Sequence, residues 1–325
     1  MAIIRSQIVF LVLASLTWYC TASSWAQGYP ARVVRYLVPA SPGSASDILA
    51  RIFAGGLTQA FGQQVIVDNR AGAGNNIGAE IAAKAPADGY TLFQVATVHA
   101  VNVSLYRKLA YNLVQDFAPV TQLASVPAVI VVHPSLPVKS VSDLVKLAKA
   151  KPGAILYASA GVGTSTFLAP ELFKRQIGVD MVHVPYRGAG GAVPAVLSGE
   201  ASVYFSPVAS ALPHIRQGRL RALAVTAAKR LPLLPEYPTM AEAGYPNFQA
   251  SNWYGLMVPA KTPKDIVATL HATSVSLLAD PGVNARLTNL GFITIGSRPE
   301  ELAAQIKSDI ESLGRIMREL GVTAD

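Results

Sequence analysis

The stretch from Val33 to Arg51 constrains this chain most. β-Branched and aromatic residues run through Val33, Val34, Tyr36 and Val38 into Pro39, the pattern of a strand that stops where a proline ends ladder pairing. Pro42-Gly43 then supplies a tight turn, and Ile48, Leu49, Ile52 and Phe53 share one face of a following helix. Ser44 or Ser46 serves as N-cap, with Asp47 in the first helical turn. A helix N-terminus carries about half a positive charge and several unpaired N–H groups, so such a turn suits a carboxylate or phosphate. An ordinary serine-capped βα turn has the same sequence pattern, and this stretch alone does not separate the two.

The same logic returns between Ile155 and Ala169: a short apolar strand to Ser159, Gly161 and Gly163 in a turn, then Thr164, Ser165 and Thr166 opening a helix. Two such turns more than a hundred residues apart are expected to fall in different lobes of a two-lobed molecule and together to grip one anion from both sides. The expected ligand contacts are Pro39, Ala40, Ser41, Gly43, Ser44 and Asp47 on the first turn, and Ser159, Gly161, Gly163, Thr164 and Ser165 on the second.

Around these turns, strand and helix patterns alternate. Residues 64–69 and 91–95 read as strands, and residues 77–85 as the helix between them, which argues for a layered α/β fold with a largely parallel sheet. Gly72-Ala73-Gly74 resembles a dinucleotide fingerprint, but the third glycine falls one residue late, at Gly78. A tight turn delivering the next helix is the better account. Thr97 and His99 follow the strand at 91–95, where ligands meet a parallel sheet, and both are candidate contacts, although a lone histidine is more often a packed residue. Residues 117–132 carry the chain into a second α/β unit. There Val182 to Pro185 leads into Tyr186, Arg187 and Gly188, a third glycine turn. Tyr186 and Gly188 are candidate contacts, as is Ser206 at a later strand end, and Arg187 is expected to be a solvated surface residue. Residues 213–217 read as a short helix, 253–259 as a strand returning to the first unit, and 263–278 and 299–320 as amphipathic helices.

The first 26 residues read as a secretory signal. Arg5 precedes an apolar run from Ile8 to Leu16 that is too short to span a bilayer, and Ser24-Trp25-Ala26 offers small residues for cleavage after Ala26. The single cysteine, Cys20, lies inside it, so the exported chain has no disulfide and no cysteine metal site. The remainder suffices for two domains. The net charge of +8, reduced by one when Arg5 leaves, comes from scattered lysines and arginines. That distribution fits steering of small anions better than a nucleic-acid footprint. The five histidines show no metal spacing, and no G-x-S-x-G, H-E-x-x-H or G-x-x-x-x-G-K motif is present.

Several stretches together resemble a known family. They are Val38-Pro39-Ala40-Ser41-Pro42-Gly43 with Asp47 and Arg51, Val67-Asp68-Asn69-Arg70 with Gly72-Ala73-Gly74, and Asp88-Gly89-Tyr90-Thr91-Leu92. His183-Val184-Pro185-Tyr186-Arg187-Gly188 and Pro238-Thr239-Met240-Ala241-Glu242-Ala243-Gly244 complete the set. The chain is similar to the substrate-binding proteins of tripartite tricarboxylate transporters, the Bug-type receptors. That resemblance implies a type II periplasmic-binding-protein fold, with lobe 1 formed by residues 27–131 and 252–325, and lobe 2 by residues 132–251. It implies a small carboxylate in the cleft (a di- or tricarboxylate, an acidic amino acid or an aromatic acid), held mostly by turn backbone and bridging waters. It also implies no cofactor, no metal and no enzymatic activity. A monomer handing its ligand to membrane transporter subunits is expected. A messenger to a membrane sensor, or a hydrolase built on Ser165 and a distant histidine, are the alternatives. Two positions depart from the family pattern: Ser44 replaces the second glycine of the first turn, and Ser206-Pro207 stands where relatives often carry an acid or amide.

Overall fold

A computed structural model describes residues 28–248 and 250–323. The expected signal segment and Cys20 lie outside them. In chain order the elements are β1 (Val34–Val38), α1 (Ala45–Phe61), β2 (Val65–Asn69), α2 (Asn76–Ala83), β3 (Thr91–Ala96), α3 (Thr97–Leu105) and β4 (Phe117–Val132). The second half begins with α4 (Val141–Ala150), β5 (Leu156–Ser159), α5 (Ser165–Ile177), β6 (Val182–Pro185) and α6 (Ala189–Leu197). It continues with β7 (Val203–Pro207), α7 (Val208–Arg216) and β8 (Arg221–Val225). The chain then returns through β9 (Ser251–Pro259) and closes with α8 (Lys264–Ala279), α9 (Pro281–Thr288), β10 (Ile293–Thr294) and α10 (Pro299–Glu319).

The sheet runs β2-β1-β3-β9-β4-β7-β5-β6, with β8 and β10 also paired to β4. β1, β2 and β3 are parallel, as are β5, β6 and β7, while β9 and β4 run antiparallel to their neighbours. The parallel strands are covered by helices, which is why β1 and β3 read as almost unbroken apolar runs.

β4 joins the two halves. Its first part, up to Pro127, pairs with β9, and Ala128 to Val132 pair with β7 and β8. The change of partner falls at a proline, which has no N–H to continue the ladder. Thr226 secures the crossing: Ala128 N–H donates to its Oγ1 at 2.9 Å, its own N–H donates to Ala128 O at 2.8 Å, and its hydroxyl donates to Ala250 O. The result is two lobes connected through β4 and β9.

Three features differ from the sequence expectations. α7 begins at Val208 rather than Pro213, because Pro213 falls inside the helix. α3 and α9 were not expected. The β-branched Thr97, Val98, Val101 and Val103 mask α3 as strand, and Asp280 followed by Pro281, a cap and N1 pair, reads as a stop. Gly72-Ala73-Gly74 leads into the short 3-10 turn Ala73–Asn75 and then α2, as expected.

Candidate ligand-binding site

The first turn is built from its own side chains. Ser44 caps α1 by accepting Asp47 N–H at 3.2 Å, and the Asp47 carboxylate accepts Gly43 N–H at 2.9 Å. Arg51 holds the same carboxylate at 3.0 Å and reaches Asn69, whose amide donates to Ala40 O at 3.0 Å. Asp47 is 3% exposed; its Oδ2 takes both bonds and shapes the turn, while its Oδ1 is buried with no hydrogen-bond partner. Beneath α1, Tyr36 donates to Gln94 at 2.8 Å and Gln94 donates to Ser46 O and Oγ at 2.9 and 2.6 Å. That buried chain of amide and hydroxyl groups fixes Ser46 at the start of the helix.

The second turn is similarly self-contained. Thr164 donates to Gly161 O at 2.7 Å, and Thr166 Oγ1 accepts Ala160 N–H at 2.9 Å. Ser159 Oγ accepts Gly161 N–H at 3.1 Å and lies 2.6 Å from His183 Nε2. Ser159 is wholly buried, so this Ser–His pair belongs to the turn and not to the cavity wall. The third turn, at Gly188, has φ +87° and crosses to the first: Gly190 N–H donates to Ser41 Oγ at 3.2 Å.

The three turns enclose a cavity of about 70 Å³ between the lobes. Of the expected contacts, Ala40, Ser41, Ser44, Thr164, Ser165 and Gly188 line it. The others stand behind it or turn away. Pro39 packs against Gly78, and Gly43, Asp47, Ser159, Gly161 and Gly163 shape the turns. Thr97 Oγ1 accepts Trp253 N–H at 3.1 Å, Tyr186 donates to Glu200 at 2.8 Å, and Ser206 donates to Pro207 O at 3.1 Å. Arg187 is exposed, as expected. Thr166, within the expected second turn, also lines it, whereas sequence reasoning missed Asn75, Tyr204, Pro207, Ser210, Asn252 and Tyr254 in the wall. Tyr204 lies within β7 and Ser210 in the first turn of α7.

Six helices begin at this cavity. Ser44 to Ser46 open α1, Asn75 precedes α2, and Ala96 and Val98 open α3. Thr164 to Thr166 open α5, Gly188 and Ala189 open α6, and Pro207 and Ser210 open α7. Among these only α1 is capped by its own N-cap side chain; Ser41 Oγ takes Gly190 N–H in the first turn of α6, and the N-cap residues of α2, α5 and α7 make no side-chain cap. Among the described residues, no charged side chain lines the cavity. Two side chains in its wall, the Tyr204 hydroxyl and Ser210 Oγ, are buried with no hydrogen-bond partner. Partly buried helix termini each favour an anion by up to about 2 kcal/mol. Several of them, with two unpaired hydroxyl donors, make a receptacle for negative charge without any arginine or lysine.

His99 is fully buried and accepts Ala96 N–H at Nδ1 at 2.9 Å, which holds the start of α3. Burial pushes its pKa down to about 4. The unfolded chain, with a histidine near pH 6.5, therefore takes up a proton first. This contribution to stability is complete above about pH 6.5 and falls by up to about 1.4 kcal/mol per pH unit until about pH 4. Urea midpoints at pH 7 and pH 5 are expected to converge in His99→Gln relative to the wild-type chain. An equal pH dependence in both would contradict the assignment.

The sequence profile of the tripartite tricarboxylate transporter family receptors matches residues 49–322. The chain belongs to that receptor family. Three solved structures extend the likeness to the whole described fold. The periplasmic binding protein BugD has a TM-score of 0.87 at 30% identity, over 91% of this chain and 99% of its own. Rpa4515 of R. palustris, solved with adipate, has a TM-score of 0.88 at 34% identity, over 91% and 99%. MatC of Rhodopseudomonas palustris, solved with bound malate, has a TM-score of 0.83 at 31% identity, over 89% and 99%. This Bug-type receptor thus shares the two-lobed fold of periplasmic solute-binding proteins, in a family of substrate-binding receptors rather than enzymes.

Proposed function

We propose that this receptor captures a small carboxylate in the periplasm, between lobe 1 (residues 27–131 and 252–325) and lobe 2 (residues 132–251), and presents it to a tripartite tricarboxylate transporter. The observation that carries this reading is the convergence of six helix N-termini on a cavity with no charged wall. The ligand carboxylate replaces the missing cap on α5 and meets the turn at Ser41 to Ser46 across the cleft. The adipate and malate held by two neighbours support a carboxylate as the ligand class. Export follows cleavage near Ala26, and the receptor acts as a monomer. Contacts to both lobes favour the closed form by the difference in affinity between closed and open states.

Calorimetry with succinate, malate, adipate, citrate, glutamate and nicotinate, each beside its neutral amide, tests the reading. Acids are expected to bind and amides to fail; binding of amides as tightly as acids would defeat it. Tyr204→Phe adds a test with two signs. Removing an unpartnered buried hydroxyl is expected to stabilise the free receptor by about 1 kcal/mol and to weaken carboxylate binding about tenfold. Unchanged affinity in a stabilised variant would take Tyr204 out of the site.

A further inference from the structure

A second cavity, of about 240 Å³, lies behind the crossing strands. β9 presents alternate residues to opposite faces: Tyr254 lines the front cavity and Trp253 the rear one. Ser165, Pro207 and Asn252 line both, so only their thickness separates the two spaces. The rear cavity draws its walls from both halves of the chain, with Leu168, Leu172 and Phe205 on one side and Trp253, Asp309 and Leu313 on the other.

Its chemistry is the reverse of the front cavity. The walls are largely apolar, two of them aromatic, and they hold one carboxylate. Trp253 Nε1 donates to Asp309 Oδ2 at 2.6 Å, and Gln305 Nε2 donates to Oδ1 at 2.9 Å. These bonds orient the carboxylate and leave acceptor capacity, since an ionised carboxylate offers about four lone-pair sites. Among the described residues no lysine, arginine or histidine forms a salt bridge with Asp309. Partial burial raises its pKa, as expected for a carboxylate that has lost water without gaining a cation. A carboxylate in a largely apolar chamber is an arrangement that holds an organic ammonium: the charge meets the carboxylate, and the carbon skeleton meets the apolar wall.

We propose that the rear cavity is a second ligand site, distinct from the carboxylate site, that takes a compact organic ammonium cation with its charged end on Asp309. Because both halves of the chain contribute to its walls, an occupant bridges them on the side of the crossing opposite the cleft.

Calorimetry of the receptor with n-butylammonium and with neutral 1-pentanol of similar size tests this site. Saturable binding of n-butylammonium, at least tenfold tighter than 1-pentanol, is the expected result. Asp309→Asn keeps an oxygen for Trp253 but removes the charge, and it is expected to lower n-butylammonium affinity at least tenfold. Leu172→Trp fills the chamber from its wall and is expected to abolish binding with Asp309 intact. Both variants should still bind whichever carboxylate the wild-type receptor binds. No saturable n-butylammonium binding, or equal binding by wild type and Asp309→Asn, would overturn the proposal. Failure of every carboxylate to bind would bear on the front cavity alone, because the rear site is read by its own titration.

Discussion

Replacing Gly163 by valine is expected to lower carboxylate affinity by about 10- to 100-fold while both lobes remain folded. Gly163 has φ +84°, a conformation that L-residues rarely adopt and β-branched ones least of all. A Cβ there would lie 2.6 Å from Leu105 Cδ2 and 3.0 Å from Asn102 Oδ1. Both belong to α3, on the opposite side of the cleft from the turn that carries Gly163. The backbone strain acts in open and closed forms alike, whereas the clash arises only when the turn closes on α3. Leu105 cannot simply swing aside, because it is 1% exposed and packed with Val101, Phe167, Leu168 and Met317. Overpacking of this kind costs about 1–3 kcal/mol, which spans close to the stated range in affinity when it acts on the closed state alone. Calorimetry beside circular dichroism reads both halves of the expectation. A folded variant with wild-type affinity would remove this turn from the closed receptor.

Gly78→Val is expected to do its damage earlier, to the fold itself. A Cβ on Gly78 would stand 2.6 Å from Pro39 Cβ, 2.7 Å from Pro39 Cα and 2.9 Å from Arg70 O. Backbone atoms cannot rotate away, so α2 must move off the end of β1. The expected loss is about 3 kcal/mol or more, at or beyond the upper end of ordinary overpacking. Pro39 leads directly into the first turn, so any variant that survives should also bind carboxylate more weakly. Urea denaturation followed at two wavelengths checks the first part, and titration at low temperature checks the second. A midpoint within error of the wild type would mean that the contact between α2 and the turn is looser than the structure shows.

The two glycine turns were legible because their signals are local: a strand that ends at Ser159 or just before Pro39, a glycine, then hydroxyls at the start of an amphipathic helix. The Gly188 turn was legible for the same reason. The start of α2 at the same cavity was not, since only the sheet order brings residue 75 beside them; at the starts of α3 and α7 the strand-end rule pointed to Thr97, His99 and Ser206, but Ala96, Val98 and Pro207 line the cavity. Asp47 shows the opposite problem. Its position in the first turn of α1 suggested a ligand contact, yet it does not line the cavity, and Gly43 and Arg51 hold its Oδ2. A single sequence lists donors and acceptors without showing which are already paired. Tyr204, Asn252 and Tyr254 lie on strands, and which face of a strand looks into the cleft depends on which strand it pairs with. The rear cavity was illegible for that reason too, because Asp309 and Trp253 meet only after β9 crosses back.

The central claim is that backbone amides at helix N-termini, and not a basic side chain, hold the ligand's negative charge. A crystal structure of the receptor with the tightest carboxylate from the calorimetric panel measures this directly. The account predicts carboxylate oxygens about 2.7–3.2 Å from backbone nitrogens in the first turns of α5 and α1, in the cavity lined by Ser41, Ser44, Thr164 and Ser165. A carboxylate paired with an arginine or lysine outside that cavity would contradict it.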